Sequence, residues 1–269
     1  MRRRDLVALT LAVLTAACAP EQTRTESVAP ERAPASSGSA VAFPSTLGGN
    51  ASGYLYAPQT SVRKPAVILV PEWWGVNEWI HEQADLYAKQ GYVTLVADLY
   101  RGKVAKTMEE AHELSRALPE DRANADVKAA FSYLSSRNDV DPARIAVLGW
   151  CLGGGYALSL ATAEPRLAAA VVNYGRLVTD PASVAAIHAP LLGNFGAADR
   201  GIPPDDVHAF ETAMKNAGKE ADIRIFDHAG HAFMNPSNKE GYDAKAAAAA
   251  QERIDGFFAE KLRAKIPNS

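Results

Sequence analysis

The chain has 269 residues, of which 48% are hydrophobic and 22% charged, enough apolar material for one large α/β domain or two small ones. Its 28 Lys and Arg against 31 Asp and Glu leave a formal net charge of −3. Neither sign is gathered into a long block, so the electrostatic footprint of a nucleic-acid binder is excluded.

The first stretch, MRRRDLVALTLAVLTAACAPEQ, joins a cationic start to an apolar run from Leu6 to Ala17 and small residues before Cys18. It reads as an export signal over residues 1–18. The apolar run is too short to span a bilayer. LTAAC resembles the bacterial lipobox, with Thr15 where that motif prefers leucine, and makes Cys18 the candidate lipidation site. Arg2, Arg3 and Arg4 followed by Asp5 and Leu6 also resemble a twin-arginine signal. The expected location is therefore the bacterial periplasm, free or as a membrane-anchored lipoprotein, and a lipid anchor is the one membrane contact implied. Residues 19–50, rich in Pro, Ala, Ser, Thr and charge, read as a disordered tether ahead of a folded domain over 51–269.

Within that domain SGYLYAP, 52–58, alternates in polarity and predicts an antiparallel or edge strand. Six short apolar runs follow at 66–71, 92–98, 144–150, 167–175, 190–196 and 221–227. Helix-like stretches alternate with them at about 77–90, 107–117, 121–136, 152–163, 204–218 and 243–263. Continuous apolar strands alternating with helices predict a mostly parallel, doubly wound sheet with helices on both faces. In the last stretch Ile254, Phe257, Phe258 and Leu262 recur at helical spacing, which makes the Ala246–Ala250 tract part of a packing helix.

Ligands of such sheets sit beyond the carboxyl ends of the strands. The residues to inspect there are Glu72, Asp98, Cys151, Asp199 and His231. GWCLG, 149–153, has the form of the nucleophile elbow GxSxG with cysteine for serine, between a strand and a helix. A helix N-terminus behind the thiol would favour thiolate and supply oxyanion donors. The competing reading is a small, buried, inert thiol. Asp199 in GAADRGIP and His231 in DHAGHAF then follow in the nucleophile, acid, histidine order of α/β-hydrolases, with His228 as the local competitor of His231.

VPEWWG 70–75, ADLY 97–100, VLGWCLGG 147–154, GAADRGIP 196–203 and HAGHAF 228–233 together resemble the dienelactone hydrolase family of α/β-hydrolases, across nearly all of residues 51–263. The resemblance implies that Cys151 is the nucleophile, His231 the base and then acid, and Asp199 the residue orienting the imidazole. It adds Glu72 as the group that activates the thiol when substrate binds. The backbone N–H groups of Trp73 and Leu152 are expected to form the oxyanion hole. Trp74, Tyr100, Arg101 and Phe233 are candidate substrate contacts. Arg101 is a possible stand-in for an arginine that holds a substrate carboxylate in lactone-opening members, and Asn235 occupies the place of another. An aromatic lining in place of those arginines favours a less charged ester or lactone.

The expected activity is hydrolysis of a small ester or lactone through a cysteine acyl-enzyme by a monomer, with no metal or organic cofactor. A non-catalytic ligand-binding lipoprotein on the same fold, and an acyltransferase or peptidase using the same three residues, are the alternatives.

Overall fold

A computed structural model describes residues 38–47, 49–58 and 62–263. The export signal over 1–18, the lipidation candidate Cys18 and residues 19–37 of the expected tether lie outside the described residues.

Eight strands form one sheet. In chain order they are β1 (Ser39–Pro44), β2 (Asn50–Tyr56), β3 (Lys64–Val70), β4 (Val93–Asp98), β5 (Val140–Trp150), β6 (Ala169–Asn173), β7 (Leu191–Gly196) and β8 (Ala221–Phe226). Their spatial order is β1-β2-β4-β3-β5-β6-β7-β8. The six strands from β3 to β8 are mutually parallel, and β1 and β2 add an antiparallel ribbon beside β4. The expected strand at 52–58 is therefore antiparallel but not the edge. The edge is β1, which falls inside the stretch read as a tether. Its six residues carry one deeply buried side chain, Phe43, stacked on Tyr133 with ring centroids 5.0 Å apart. Small neighbours hide that period in the sequence.

The helices are α1 (Glu78–Lys89), α2 (Met108–Arg116), α3 (Glu120–Ser136), α4 (Leu152–Ala163), α5 (Pro181–Ala186), α6 (Pro204–Asn216) and α7 (Ala244–Lys261). Six match the expected stretches closely; α5 is a short addition. Caps mark several starts: Asn77 accepts from the Ile80 N–H at 3.2 Å, and Asp243 accepts from the Lys245 and Ala246 N–H groups at 3.0 and 2.9 Å. Buried Ala246, Ala250, Ile254 and Phe258 recur every four residues, so the small half of α7 lies close to the sheet and the large half fills the gap beyond it.

Two apolar layers enclose the sheet. Ile68, Val70 and Val147 point toward α3, α4 and α6, while Val67, Leu69 and Leu148 point toward α1 and α7. This alternation follows from the two-residue side-chain period of a strand. The central strands are apolar on both faces and so read as continuous hydrophobic runs. The order of connection reverses around β3, which has β4 on one side and β5 on the other. A crevice at the carboxyl ends of β3 and β5 is the expected ligand site of such a sheet.

Candidate active site

The turn from β5 into α4 holds Cys151 at φ 53° and ψ −118°, a left-handed conformation unusual for a residue with a side chain. The glycines around it are dictated by crowding. A Cβ on Gly149 would strike the Gly153 carbonyl, and one on Gly153 would strike the carbonyl oxygens of Val70 and Pro71. The Cys151 N–H donates to the Asn173 carbonyl at 3.0 Å, tying the turn to the end of β6. The thiol is half-buried at the head of α4, and Leu152 is that helix's first residue, so its N–H has no partner inside the helix.

Asp199 follows β7 and is buried. Its Oδ1 accepts from the Gly201 and Ile202 N–H groups at 2.8 and 3.1 Å, and its Oδ2 lies 2.7 Å from His231 Nδ1. The other imidazole nitrogen, Nε2, lies 3.0 Å from Cys151 Sγ. The expected trio is thus brought into one chain of contacts, and His231 rather than His228 occupies it. Burial alone would depress the imidazole. The Asp199 carboxylate and the Cys151 sulfur outweigh it and hold His231 at about 10. Burial would likewise raise Asp199, but hydrogen bonding and charge from His231 and the two backbone donors keep its carboxyl below the ordinary range.

Glu72 follows β3 and is 2% exposed. The Tyr174 hydroxyl donates to its Oε1 at 3.2 Å and the Asn235 amide to its Oε2 at 2.7 Å. Burial raises its carboxyl to about 7, against the opposing pull of those two donors and of His231. Tyr174 does not stand out in the sequence, and Asn235 does so only as the residue in the place of a family arginine, not as a partner of Glu72. Tyr174, fully buried at φ 40°, directly follows β6 in the NYG stretch and meets the His231 ring edge-to-face, centroids 5.4 Å apart. Asn235 sits four residues beyond His231, and its side-chain Oδ1 accepts from the Ser237 N–H at 2.9 Å. Asn235 thus anchors the histidine loop to the end of β3.

A cavity of about 800 Å³ opens over this arrangement, walled by Trp73, Trp74, Ala105 and Met108 on one side and by the loop from His231 to Gly241 on the other. Glu72, Trp73, Trp74, Cys151 and His231 line it. Its described lining does not include Tyr100, Arg101 or Phe233. Tyr100 is 7% exposed and packed in the core on the α3 and α4 side. Arg101 is ion-paired with Asp126 at 3.2 Å. Phe233 is fully buried between Tyr174 and Phe226. Asp98 folds back on its own loop, accepting from the N–H groups of Tyr100 and Gly102. Among the described residues no group of three or more His, Cys, Asp or Glu side chains is placed to hold a metal ion.

A mostly parallel sheet with a cysteine turn after its central strand β5, an aspartate after β7 and a histidine after β8 is the arrangement of an α/β-hydrolase. The sequence profile of the "Dienelactone hydrolase family" matches residues 51–262. A relative from Methylorubrum extorquens named "Putative carboxymethylenebutenolidase" is 32% identical over 208 residues, spanning 72% of this chain and 71% of its own. A Yersinia pestis protein of the same name is 33% identical over 217 residues, spanning 76% of this chain and 80% of its own. The crystal structure of the "Putative Dienelactone Hydrolase" from Klebsiella pneumoniae superposes with a TM-score of 0.72 at 28% identity, covering 82% of this chain and 99% of that one. The chain belongs to the dienelactone hydrolase family, hydrolases that act on small esters and lactones.

Proposed function

We propose that this protein is an exported hydrolase that opens an ester or lactone through a covalent acyl-enzyme on Cys151. The observation that carries the reading is the unbroken line from Asp199 through His231 to Cys151, at 2.7 and 3.0 Å. His231 takes the thiol proton on Nε2 while Asp199 holds Nδ1–H. The sulfur adds to the carbonyl carbon, and the carbonyl electrons move to oxygen. The N–H groups of Leu152 and Trp73 receive that oxyanion. Collapse of the adduct breaks the carbon–oxygen ester bond, and the leaving alkoxide takes the proton from His231. Water, deprotonated by the same nitrogen, then attacks the thioester, which releases the acid and restores Cys151. Glu72, held beside this site by Tyr174 and Asn235, supplies the charge that helps deprotonate the thiol once substrate displaces those contacts.

Cys151→Ala is expected to lower kcat/KM on aryl esters by at least about 10³-fold, and mass spectrometry of the wild type to trap an acyl group on Cys151. Unchanged turnover in Cys151→Ala would end this reading. Export and a lipid on Cys18 rest on the residues of the leader. Labelling cells with a clickable fatty acid should mark the wild type and spare Cys18→Ser; equal labelling of both would exclude that anchor.

A further inference from the structure

Three asparagines around the cavity are engaged by the protein itself. Asn77 Oδ1 caps α1. Asn235 donates to Glu72 and accepts from Ser237. Asn238 donates to the His231 carbonyl at 3.0 Å and accepts from the Gly241 N–H at 3.3 Å. No guanidinium belongs to the described lining, and Arg101 is directed to Asp126. Two cations belong to the lining: His231, held by Asp199 at the reaction centre, and Lys239, exposed beside the equally exposed Glu240. Below them the buried Glu72 carboxyl faces the space next to the thiol. What remains for a ligand is the apolar wall of Trp73, Trp74 and Met108, with the two indoles edge-on at 5.4 Å and Trp73 braced by the His112 ring at 4.7 Å.

We infer, resting on the hydrolytic reading above, that the substrate is an uncharged ester or lactone carrying a bulky apolar or aromatic group, seated on Trp73, Trp74 and Met108. A volume of about 800 Å³ lies toward the upper end of the range that houses drug-sized molecules and far exceeds what a bare five-membered ring would fill. A substrate carboxylate carried on that bulky group would be seated on the apolar wall, with no guanidinium in the described lining to pair with it, and would lose its hydration there. Taking a charge out of water without a partner costs enough to discriminate by about tenfold or more.

The test uses the full chain and three 4-nitrophenyl esters: cyclohexanecarboxylate, its trans-4-carboxy analogue, and acetate, each rate divided by its hydroxide-catalysed rate. The neutral cyclohexyl ester is expected to exceed the anionic analogue in kcat/KM by about tenfold or more, and to exceed acetate through a lower KM. Met108→Lys, which adds a cation to the wall, is expected to narrow the gap between neutral and anionic esters. An anionic ester cleaved as well as the neutral one, or acetate as good as the cyclohexyl ester, overturns the inference. Cys151→Ala separates the two levels: if it abolishes turnover of all three esters while the anionic one is preferred in the wild type, only the substrate assignment falls. If it leaves turnover intact, the hydrolytic reading falls and takes this inference with it.

Discussion

Glu72 has a carboxyl raised to about 7 from an ordinary 4.5, with burial as the main cause. The folded state therefore binds its proton more tightly than the unfolded chain does. Its contribution favours folding below about pH 4.5 and is lost as pH rises through about 7, a swing of about 3 kcal/mol. Wild-type melting temperature should fall between pH 5 and 8, and Glu72→Gln should flatten much of that decline. His231, which also keeps its proton to about 10 in the folded state, destabilises in the same direction above pH 6.5 but is common to both proteins. In activity, kcat/KM should show an acid limb with a midpoint near 7 that Glu72→Gln shifts or removes. Superimposable profiles would deny Glu72 a part in thiol activation. Cys151, Asp199 and His231 were legible because each closes an apolar strand within a local motif. Tyr174 was not, nor was the bond from Asn235 to Glu72, since Glu72 is 102 and 163 residues away from the two and only the packing of strand ends joins them. For Tyr100, Arg101 and Phe233 the limit is of another kind: an aromatic or cationic residue beside a motif does not reveal which way its side chain turns.

The β5–α4 turn is where main-chain crowding governs function. Gly153→Ala would push a methyl into the Val70 and Pro71 carbonyls, backbone that cannot give way cheaply. A loss of about 1–3 kcal/mol in denaturant unfolding is expected, with Cys151 displaced and turnover lost. Gly155→Ala, whose nearest new contact is Arg176 Cβ at 3.5 Å, should be tolerated and gain about 1 kcal/mol from helix propensity. Equal effects of the two substitutions would contradict the crowding argument. Strand and helix positions from 52 onward were readable because their apolar periods are long or uninterrupted. Two elements escaped. β1 shows a single large inward residue among small ones, and the six residues of α5 are too few to display a helical period.

At the scale of the molecule, β1 closes one side of the sheet. Six residue pairs join it to β2, and Phe43 covers Tyr133 on α3. A chain beginning at Ser45 loses that strand and leaves the β2 edge open to pairing with other chains. Relative to a chain beginning at Gly38, it should lose about 3–5 kcal/mol, the usual cost of removing a buried phenylalanine, and should show concentration-dependent aggregation. Identical unfolding midpoints for the two chains would mean that β1 contributes little. The parallel order from β3 to β8 followed from the alternation of runs, whereas the antiparallel pair followed from nothing longer than its own twelve or so residues and was only half legible.

The left-handed turn at position 151 has one more implication. Its shape is imposed by carbonyls pressing on Gly149 and Gly153 and by a bond to Asn173, all main-chain interactions. The mount is thus indifferent to the atom it presents, and a hydroxyl in place of the thiol would meet the same imidazole from the same direction. Under the proposed mechanism, sulfur at this position is a matter of acidity rather than architecture, and either atom could serve here without rebuilding of the scaffold.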